Sequence, residues 1–459
     1  MTAQAIAHFE QVLTRWHGFV DRPADSSDAL VHNLEGLYQA IYTTDFEAFK
    51  VAEVDHIAQA AMDDLFDFAL RLRDRVPEWH HQGLLDHDAS SAVRNAIRVL
   101  RYTCDIVGEV ASGYPRLAPG EKTHKGFEGP PSWTMMHPAH AVGTQLEFRS
   151  GDVLLVRGQL HNSAAIARVG DIDSQFSHVG LVHVDEDRQP WMVEALIEDG
   201  ASITPLDRAL GHGLGRAVLF RHRDGHVAST ASHLIHERVT KANARFGGWI
   251  PYDFTMQLDG YDELFCSKLV RQAYDEATGG KLLLPTFATR LAMQNRDFLE
   301  RIGATAVETF APADFEVEPS FDLVAEWRDY RVTSHIRMQD LIMSKLFDWM
   351  DEHGYVFEED AKIRGIEVLG GIAGIMPGFV KDAISGVVPK VPSNMSTRTV
   401  GAIAMLHKTA QPILERLLAE EARHIKDTGR PLHPRLVQAD LERMRAASPG
   451  RIGYLVLKE

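Results

Sequence analysis

Hydrophobic residues recur every three or four positions through the first quarter of the chain, which is the spacing of one buried helical face. The clearest stripe contains Val93, Ile97, Leu100, Cys104 and Val107. Ser90 and Ser91 precede it and are suitable N-cap residues. The pattern predicts that residues up to about 112 are helical and that Cys104 is a small hydrophobic residue of the core.

Short apolar runs separated by Gly, Pro and Asp begin after Gly151 and are typical of strands. The predicted strands cover residues 153–156, 179–184, 191–196, 217–220 and 321–327. Their spacing favours a meandering, mostly antiparallel sheet or a small barrel. Residues 232–246 have a helical pattern, and a second helix is predicted to begin at Cys266. We therefore expect an α+β fold in this part of the chain.

Two changes of pattern suggest how the chain is divided. Glycine and proline are frequent between Gly113 and Pro138, which indicates a long loop or a domain boundary. Beyond Arg331 the helical pattern returns, and its longest predicted helix covers residues 397–425, with Pro412 as a candidate kink. We predict a helical N-terminal region (1–130), an α+β domain (131–330) and a helical C-terminal region (331–459).

Composition excludes several classes of protein. The formal net charge of −16 argues against a broad nucleic-acid interface, which needs clustered Lys and Arg. Two cysteines cannot form a disulfide framework. The 23 histidines match no recognised zinc spacing, and His-Glu-x-x-His is absent from the sequence, so we expect neither a metal nor a cofactor. The sequence does not indicate an oligomeric state.

Membrane and targeting signals are weak. Residues 1–10 lack a basic start followed by an apolar run, so we expect a cytoplasmic location, with export that needs no cleavable signal as the alternative. No run of about 18 apolar residues predicts a transmembrane span. The closest stretch, residues 368–388, is broken by Pro377, Lys381 and Asp382. We expect it in a core, with peripheral membrane contact as the alternative.

Cys266 carries the most informative chemistry, because it is predicted to open a helix in the run Phe265-Cys266-Ser267-Lys268. A cysteine acts as a nucleophile when it is a thiolate, and the positive end of a helix dipole lowers its pKa. Backbone N–H groups at the helix start could also bind an oxyanion. These features favour catalysis, and a buried structural cysteine is the alternative.

Two residues on neighbouring predicted strands could complete a catalytic site. His178, in Ser177-His178-Val179-Gly180, would pair with the thiolate and protonate the leaving group. Glu194 lies on the next strand and could orient the imidazole. Glu198 is a rival for that role if the strand continues to it.

Three further residues are candidates for substrate binding. Tyr252 and Asp253, in a Pro-Tyr-Asp-Phe segment before the cysteine, would either shape the pocket or form a turn. Ser177 is the third, next to the candidate histidine. Lys268 follows Cys266 by two positions, roughly 200° around a helix, so we expect it to be solvated.

Five motifs occur in order over about 120 residues: Gly-Asp-Val-Leu-Leu at 151–155, Ser-His-Val-Gly at 177–180, Val-Glu-Ala at 193–195, Pro-Tyr-Asp-Phe at 251–254 and Phe-Cys-Ser-Lys-Leu-Val at 265–270. Together they resemble the permuted papain-like enzymes of the NlpC/P60 superfamily, in particular the YaeF/YiiX-like branch. In that family the histidine precedes the cysteine, the reverse of papain. The resemblance covers about residues 148–330 and implies that Cys266, His178 and Glu194 are the catalytic residues.

One residue departs from the family pattern. Members often carry Glu in a Cys-Ser-Glu motif, at the position that Lys268 occupies here. This difference leaves the candidate triad intact and puts the shape of the substrate pocket in doubt.

Three functions are compatible with the sequence. The first is a cysteine amidase or peptidase that acts on an amide through a thioester. The second is an acyltransferase or lipid hydrolase that uses the same thiolate on an acyl-containing or lipid-linked substrate. The third is a non-catalytic binding module whose helical flanks recruit a partner.

Overall fold

A computed structural model describes residues 2–44, 55–112, 134–141, 146–211, 213–245, 248–291, 296–358 and 394–458 of the chain. The apolar stretch at 368–388 and most of the predicted loop at 113–138 lie outside these residues. None of the described helices is long and apolar enough to cross a membrane.

The N-terminal part is helical, as predicted, and contains α1 (Thr2–Val20), α2 (Ser27–Tyr42), α3 (Asp55–His81) and α4 (His87–Ala111). The residues of the predicted stripe on α4 are all buried. The predicted cap of this helix is wrong, because Asp86 is the N-cap and accepts a hydrogen bond from the Ala89 N–H. Ser90 and Ser91 lie inside the helix, where both hydroxyls donate to the His87 carbonyl.

The central part alternates strands and helices. Its strands are β1 (Thr134–Met136), β2 (Val153–Gly158), β3 (His178–Val184), β4 (Pro190–Leu196), β5 (Gly200–Pro205), β6 (Leu214–His222), β7 (Thr289–Arg290), β8 (Glu308–Thr309) and β9 (Phe321–Arg328). Its helices are α5 (His161–Ile166), α6 (Leu206–Leu210), α7 (Gly225–Asn243), α8 (Cys266–Thr278), α9 (Arg296–Ile302) and a 3₁₀ helix (Pro312–Val317).

The C-terminal part contains α10 (Thr333–His353), β10 (Tyr355–Phe357), α11 (Thr397–Thr428), α12 (Pro434–Ala447), β11 (Arg451–Ile452) and β12 (Leu455–Leu457). The long helix predicted at 397–425 is therefore confirmed, and it continues through Pro412. The short strands β10, β12 and β11 pair in that order, and the sequence did not predict them.

Seven strands form one sheet in the order β1-β9-β6-β2-β3-β4-β5, and all neighbours are antiparallel. The predicted α+β fold with an antiparallel meander is confirmed. No pairing joins the edge strands β1 and β5 in the described residues, so the sheet is open and the barrel alternative is wrong. Edge strands β1 and β5 were not predicted, and β1 falls within the region predicted as loop.

The sheet buries both faces, because successive side chains of a strand point to opposite sides. Val153, Val179 and Val193 join a core shared with α1–α4, α7 and α8. Leu154, Val182 and Met192 join a second core on the other face, which includes α6. A third core joins α5 and α9 to α10, α11 and α12.

The Gly-Asp motif before β2 has a structural role. Gly151 has a φ of +91°, and a Cβ there would lie 2.3 Å from the Ala228 carbonyl oxygen of α7. Asp152 forms a buried ion pair with Arg221 at 2.7 Å. The Gly151 carbonyl accepts a hydrogen bond from the Tyr274 hydroxyl at 2.6 Å, which ties α8 to the sheet.

Helix α7 begins earlier than the predicted position 232. Asp224 caps it by accepting hydrogen bonds from the N–H groups of His226 and Val227. The predicted end at Phe246 lies outside the described residues. Apolar positions alone do not reveal this start, because the first turn of α7 is partly exposed.

Candidate active site

Cys266 is the first residue of α8 and is 6% exposed. Leu269, Val270 and Ala273 form the buried side that packs the helix against the sheet. The N-cap residue Phe265 has an extended backbone, and no side chain caps the helix. The N–H groups of the first turn, including that of Cys266, are therefore free of a side-chain cap and form the positive end of the helix, where the thiol lies.

The Cys266 thiol interacts directly with the His178 side chain. Burial on its own would raise the pKa of Cys266, but the hydrogen bond with His178, the charge of its imidazole and the Val179 N–H together lower that pKa below its ordinary value. Burial would likewise lower the pKa of His178, but its hydrogen bonds to Cys266 and Glu194 raise it to about 10. The two opposite shifts favour a thiolate beside an imidazolium over a neutral thiol beside a neutral imidazole.

Glu194 is the carboxylate that contacts His178. Its Oε2 lies 2.7 Å from Nε2 of the imidazole, and the Glu194 side chain is 7% exposed. Strand register explains the contact, because Glu194 pairs with Gly180 and His178 lies two residues before Gly180 on the same strand. Because Nε2 faces Glu194, Nδ1 is the ring nitrogen left for the thiol.

Glu198, the rival carboxylate, lies beyond the end of β4 at Leu196. The strand does not continue far enough to place it beside Glu194 on the sheet. Burial, followed by the charge of Asp199, raises the pKa of Glu198, which lies within electrostatic range of His178.

The three predicted substrate-binding residues are all buried near the site. Burial is the main cause that raises the pKa of the Tyr252 phenol, and the charge of the Cys266 thiolate is the next. Tyr252 therefore lies within electrostatic range of Cys266. Ser177 precedes β3, and its N–H donates to the Val156 carbonyl at 3.0 Å. Asp253 uses both carboxylate oxygens within the protein. Contact of these side chains with a substrate stays a prediction.

Lys268 is not solvated, which corrects the expectation from its helical position. It is 2% exposed, and its Nζ lies 2.7 Å from Oδ2 of Asp253. The other oxygen of Asp253 accepts hydrogen bonds from the N–H and hydroxyl of Thr255. The backbone between Pro251 and Leu264 closes on itself through the Leu264 N–H, which donates to the Pro251 carbonyl at 3.0 Å. Lys268 therefore holds this loop over the start of α8.

One pocket, which we call the apolar pocket, is lined in part by Tyr252 and Glu198, which lie within electrostatic range of Cys266 and His178 respectively. Its apolar walls include Ile166, Phe254, Met256, Met395, Ile403 and Leu406. Tyr252, Glu198 and His161 add polar groups to these walls. The cavity between them measures about 50 Å³.

The sequence did not predict the apolar pocket. Residues 395, 399, 403, 406 and 407 of its wall come from α11 and the segment just before it, more than 120 positions after Cys266. Periodicity predicts that α11 has an apolar side, but not that this side meets the catalytic sheet. In the described part of the chain, no group of three or more His, Cys, Asp or Glu side chains is arranged to hold a metal ion.

Comparison with known proteins gives a family match for the central part of the chain. Residues 147–325 match the model of a family described as permuted papain-like amidase enzymes, YaeF/YiiX, C92 family. Neither the curated proteins nor the solved structures give a significant match. The match covers about two fifths of the chain and includes Cys266, His178 and Glu194. The resemblance predicted from the five motifs is therefore confirmed as a match of residues 147–325 to the model of the permuted papain-like amidase family.

Proposed function

We propose that the protein hydrolyses an amide bond through a thioester on Cys266. The observation that carries this proposal is that His178, whose Nε2 lies 2.7 Å from Glu194, is close enough to Cys266 at the start of α8 to lower the pKa of its thiol. A family of amidases supports hydrolysis by cysteine in general. We propose that Cys266, His178 and Glu194 act together as a catalytic triad.

Acylation follows from the charges of the pair. The Cys266 thiolate attacks the amide carbonyl carbon, and negative charge develops on the carbonyl oxygen. Backbone N–H groups of the first turn of α8 lie where they can donate to that oxygen. As the C–N bond breaks, the His178 imidazolium gives its proton to the leaving amine. The acyl group remains on Sγ as a thioester.

Deacylation reverses these proton movements. The neutral His178 takes a proton from water, and the resulting hydroxide attacks the thioester carbonyl. The carboxylic acid leaves, and the thiolate–imidazolium pair is restored. Glu194 does not react in either half. It keeps the imidazole oriented and stabilises its positive charge through the 2.7 Å contact with Nε2.

The experiment is mass spectrometry of the protein after incubation with a panel of chromogenic peptide amides and fatty acyl amides. We expect an acyl adduct on the peptide that contains Cys266, together with release of the amine. Cys104→Ala is the matched control, because Cys104 is the other cysteine and the charged groups around it do not include His178. That variant should keep activity. Amide cleavage that survives in Cys266→Ala would refute the proposal.

Acyl transfer or lipid hydrolysis is the second candidate, and the apolar pocket favours it. The same thioester would pass its acyl group to an alcohol or amine, or would form from a lipid ester. A fatty acyl adduct on Cys266 after incubation with phospholipid vesicles, and none with peptide amides, would select this candidate. A non-catalytic binding module has less support, because such a module has no need for a thiol activated by an imidazole.

A further inference from the structure

Asp253 contacts the chain on both sides of Cys266. Its N–H donates to the carbonyl of Leu264 at 3.2 Å, two positions before the cysteine. Its Oδ2 lies 2.7 Å from Nζ of Lys268, two positions after the cysteine. Both members of this ion pair are buried, at 3% and 2% exposure. One residue of the preceding loop therefore holds the backbone just before the candidate nucleophile and a side chain just after it.

The rest of the loop at 251–264 lies along the same face of α8. Gln272 is four positions after Lys268, which places both side chains on one face of the helix. The Gln272 amide nitrogen donates to the Gly260 carbonyl at 2.6 Å. A Cβ at Gly260 would lie 3.9 Å from Nζ of Lys268, so the loop passes close to the ion pair. The contact at Asp253 therefore belongs to a loop that is fixed to α8 at several points.

The ion pair does not account for the activation of the thiol. Burial and then His178 are the first influences on the pKa of Cys266, and neither Lys268 nor Asp253 is among the main ones. The charges of the pair are opposite and lie 2.7 Å apart, so their effects largely cancel at a distance. Any contribution of the pair to the reaction therefore acts through the position of Cys266.

Position matters more for amide cleavage than for simple alkylation. In amide cleavage the carbonyl oxygen must meet an N–H donor at about 2.7–3.1 Å, and a misplacement of about 1 Å can cost about a hundredfold in rate. The N–H of Cys266 is such a donor at the start of α8. Alkylation by iodoacetamide develops no charge on a carbonyl oxygen and needs only the thiolate.

We propose that Lys268 and Asp253 are positioning residues, whose ion pair fixes the backbone around Cys266 so that its Sγ and its N–H meet the same amide carbonyl. The inference rests on the proposed function and adds two residues that act through the nucleophile without touching the reacting atoms.

The double variant Lys268→Met/Asp253→Asn tests this role, because it removes the ion pair and leaves no buried charge. With a chromogenic peptide amide that the natural protein cleaves, we expect kcat and kcat/KM to fall equally, by about a hundredfold, so that KM hardly changes. The rate of Cys266 alkylation by iodoacetamide and the pH dependence of that rate should stay as in the natural protein. Circular dichroism at the assay temperature verifies that the variant is folded.

The matched control is Arg221→Met/Asp152→Asn, which removes another buried ion pair with the same 2.7 Å separation. The Asp152 carbonyl accepts a hydrogen bond from the Val182 N–H, whereas His178 lies at the other end of β3. This control variant should keep the kcat of the natural protein.

A Lys268→Met/Asp253→Asn variant that keeps its kcat would overturn the inference. An equal loss of kcat in the control variant would do the same, because the loss would then follow from lower stability. Loss of alkylation together with amide cleavage would also count against it, since the pair would then act on the thiol itself. In each case the proposed function stands if cleavage by the natural protein depends on Cys266. Amide cleavage that survives Cys266→Ala would instead refute the proposed function, and the inference with it.

Discussion

At the scale of the residue, the two cysteines show what activates a thiol in this protein. Both are buried. Burial raises the pKa of Cys104 to about 12, and its charged neighbours do not reverse the effect. Burial acts in the same direction on Cys266, but His178 reverses it. The imidazole, rather than the degree of burial, therefore separates a reactive cysteine from an inert one.

The pKa values predict a bell-shaped dependence of activity on pH. Activity needs Cys266 deprotonated and His178 protonated, so it should rise with pH through the lowered pKa of Cys266 and fall near pH 10 as His178 loses its proton. Glu194→Gln removes a group that raises the pKa of His178. We expect the alkaline limb to move down by roughly one to two pH units, since a hydrogen bond to a charged group contributes about 1.5–3 kcal/mol.

A pH–rate profile of amide cleavage measures this shift. Glu186→Gln, in the exposed turn after β3, is the control and should leave the alkaline limb in place. An alkaline limb that stays near pH 10 in Glu194→Gln would show that Glu194 does not support the imidazolium.

The sequence predicted the candidate triad but not its surroundings. Ordered motifs made Cys266 and His178 the candidates for catalysis, and the end of β4 at Leu196 distinguishes Glu194 from Glu198 as the carboxylate beside His178. The predicted exposure of Lys268 was wrong, because a helical projection gives the angle of a residue around its own helix but does not show which loop packs against that helix. Here the loop at 251–264 closes over the start of α8 and buries Lys268.

At the scale of the element, the Lys268–Asp253 pair links α8 to the preceding loop. Both residues are buried, at 2% and 3% exposure. Removing one partner of such a pair leaves an uncompensated charge, which typically costs about 3–5 kcal/mol. The loop also carries Tyr252, so the pair holds one wall of the apolar pocket near Cys266.

Lys268→Met should therefore lower the free energy of unfolding by about 3–5 kcal/mol. Lys268→Glu, which installs the residue common in the family, should be worse, because it places two carboxylates together. The double variant Lys268→Met/Asp253→Asn should recover part of the loss, because no buried charge then remains. Urea denaturation measures all three. If Lys268→Met lowers the free energy of unfolding by less than about 1 kcal/mol, the Lys268–Asp253 pair contributes no more than an exposed ion pair, and the account of this pair is wrong.

Elements with a clear period were predicted well, and those without one were not. Each observed strand with a run of four or more apolar or β-branched residues had been predicted from the sequence. The edge strands were not predicted because β5 has no run of apolar residues and β1 has only three residues. The starts of α4 and α7 depend on Asp86 and Asp224, single side chains that accept backbone hydrogen bonds and leave no apolar signal.

At the scale of the whole molecule, buried ion pairs join the helical flanks to each other. Arg337 of α10 is fully buried and contacts Glu109 of α4 at 2.6 Å and Glu421 of α11 at 3.1 Å. Arg157 of β2 contacts Asp340 of α10 at 2.7 Å in the same way. Sequence alone gives no sign of such pairs, because their partners lie as many as 228 positions apart, from Glu109 to Arg337.

Arg337→Met should destabilise the protein strongly, because it leaves two buried carboxylates, Glu109 and Glu421, without a cation. We expect a loss of about 3–5 kcal/mol in the free energy of unfolding. Arg71→Ala is the matched control, since it breaks an exposed ion pair with Asp21 and should cost at most about 1 kcal/mol. Urea denaturation monitored by circular dichroism compares the two. Equal losses would contradict a structural role for the buried pair.

The central claim is that His178 activates Cys266, and the rate of carboxamidomethylation of Cys266 by iodoacetamide as a function of pH tests it most directly. Peptide mapping assigns the label, and the core cysteine Cys104 serves as an internal control that should stay unmodified. In the natural protein we expect Cys266 to react at pH values well below the ordinary pKa of a thiol. In His178→Ala, only the hydrogen bonds of the Val179 N–H and the Ser267 side chain still oppose the effect of burial on the pKa of Cys266, and the reaction should move to higher pH. Identical pH–rate profiles for the two proteins would contradict the account.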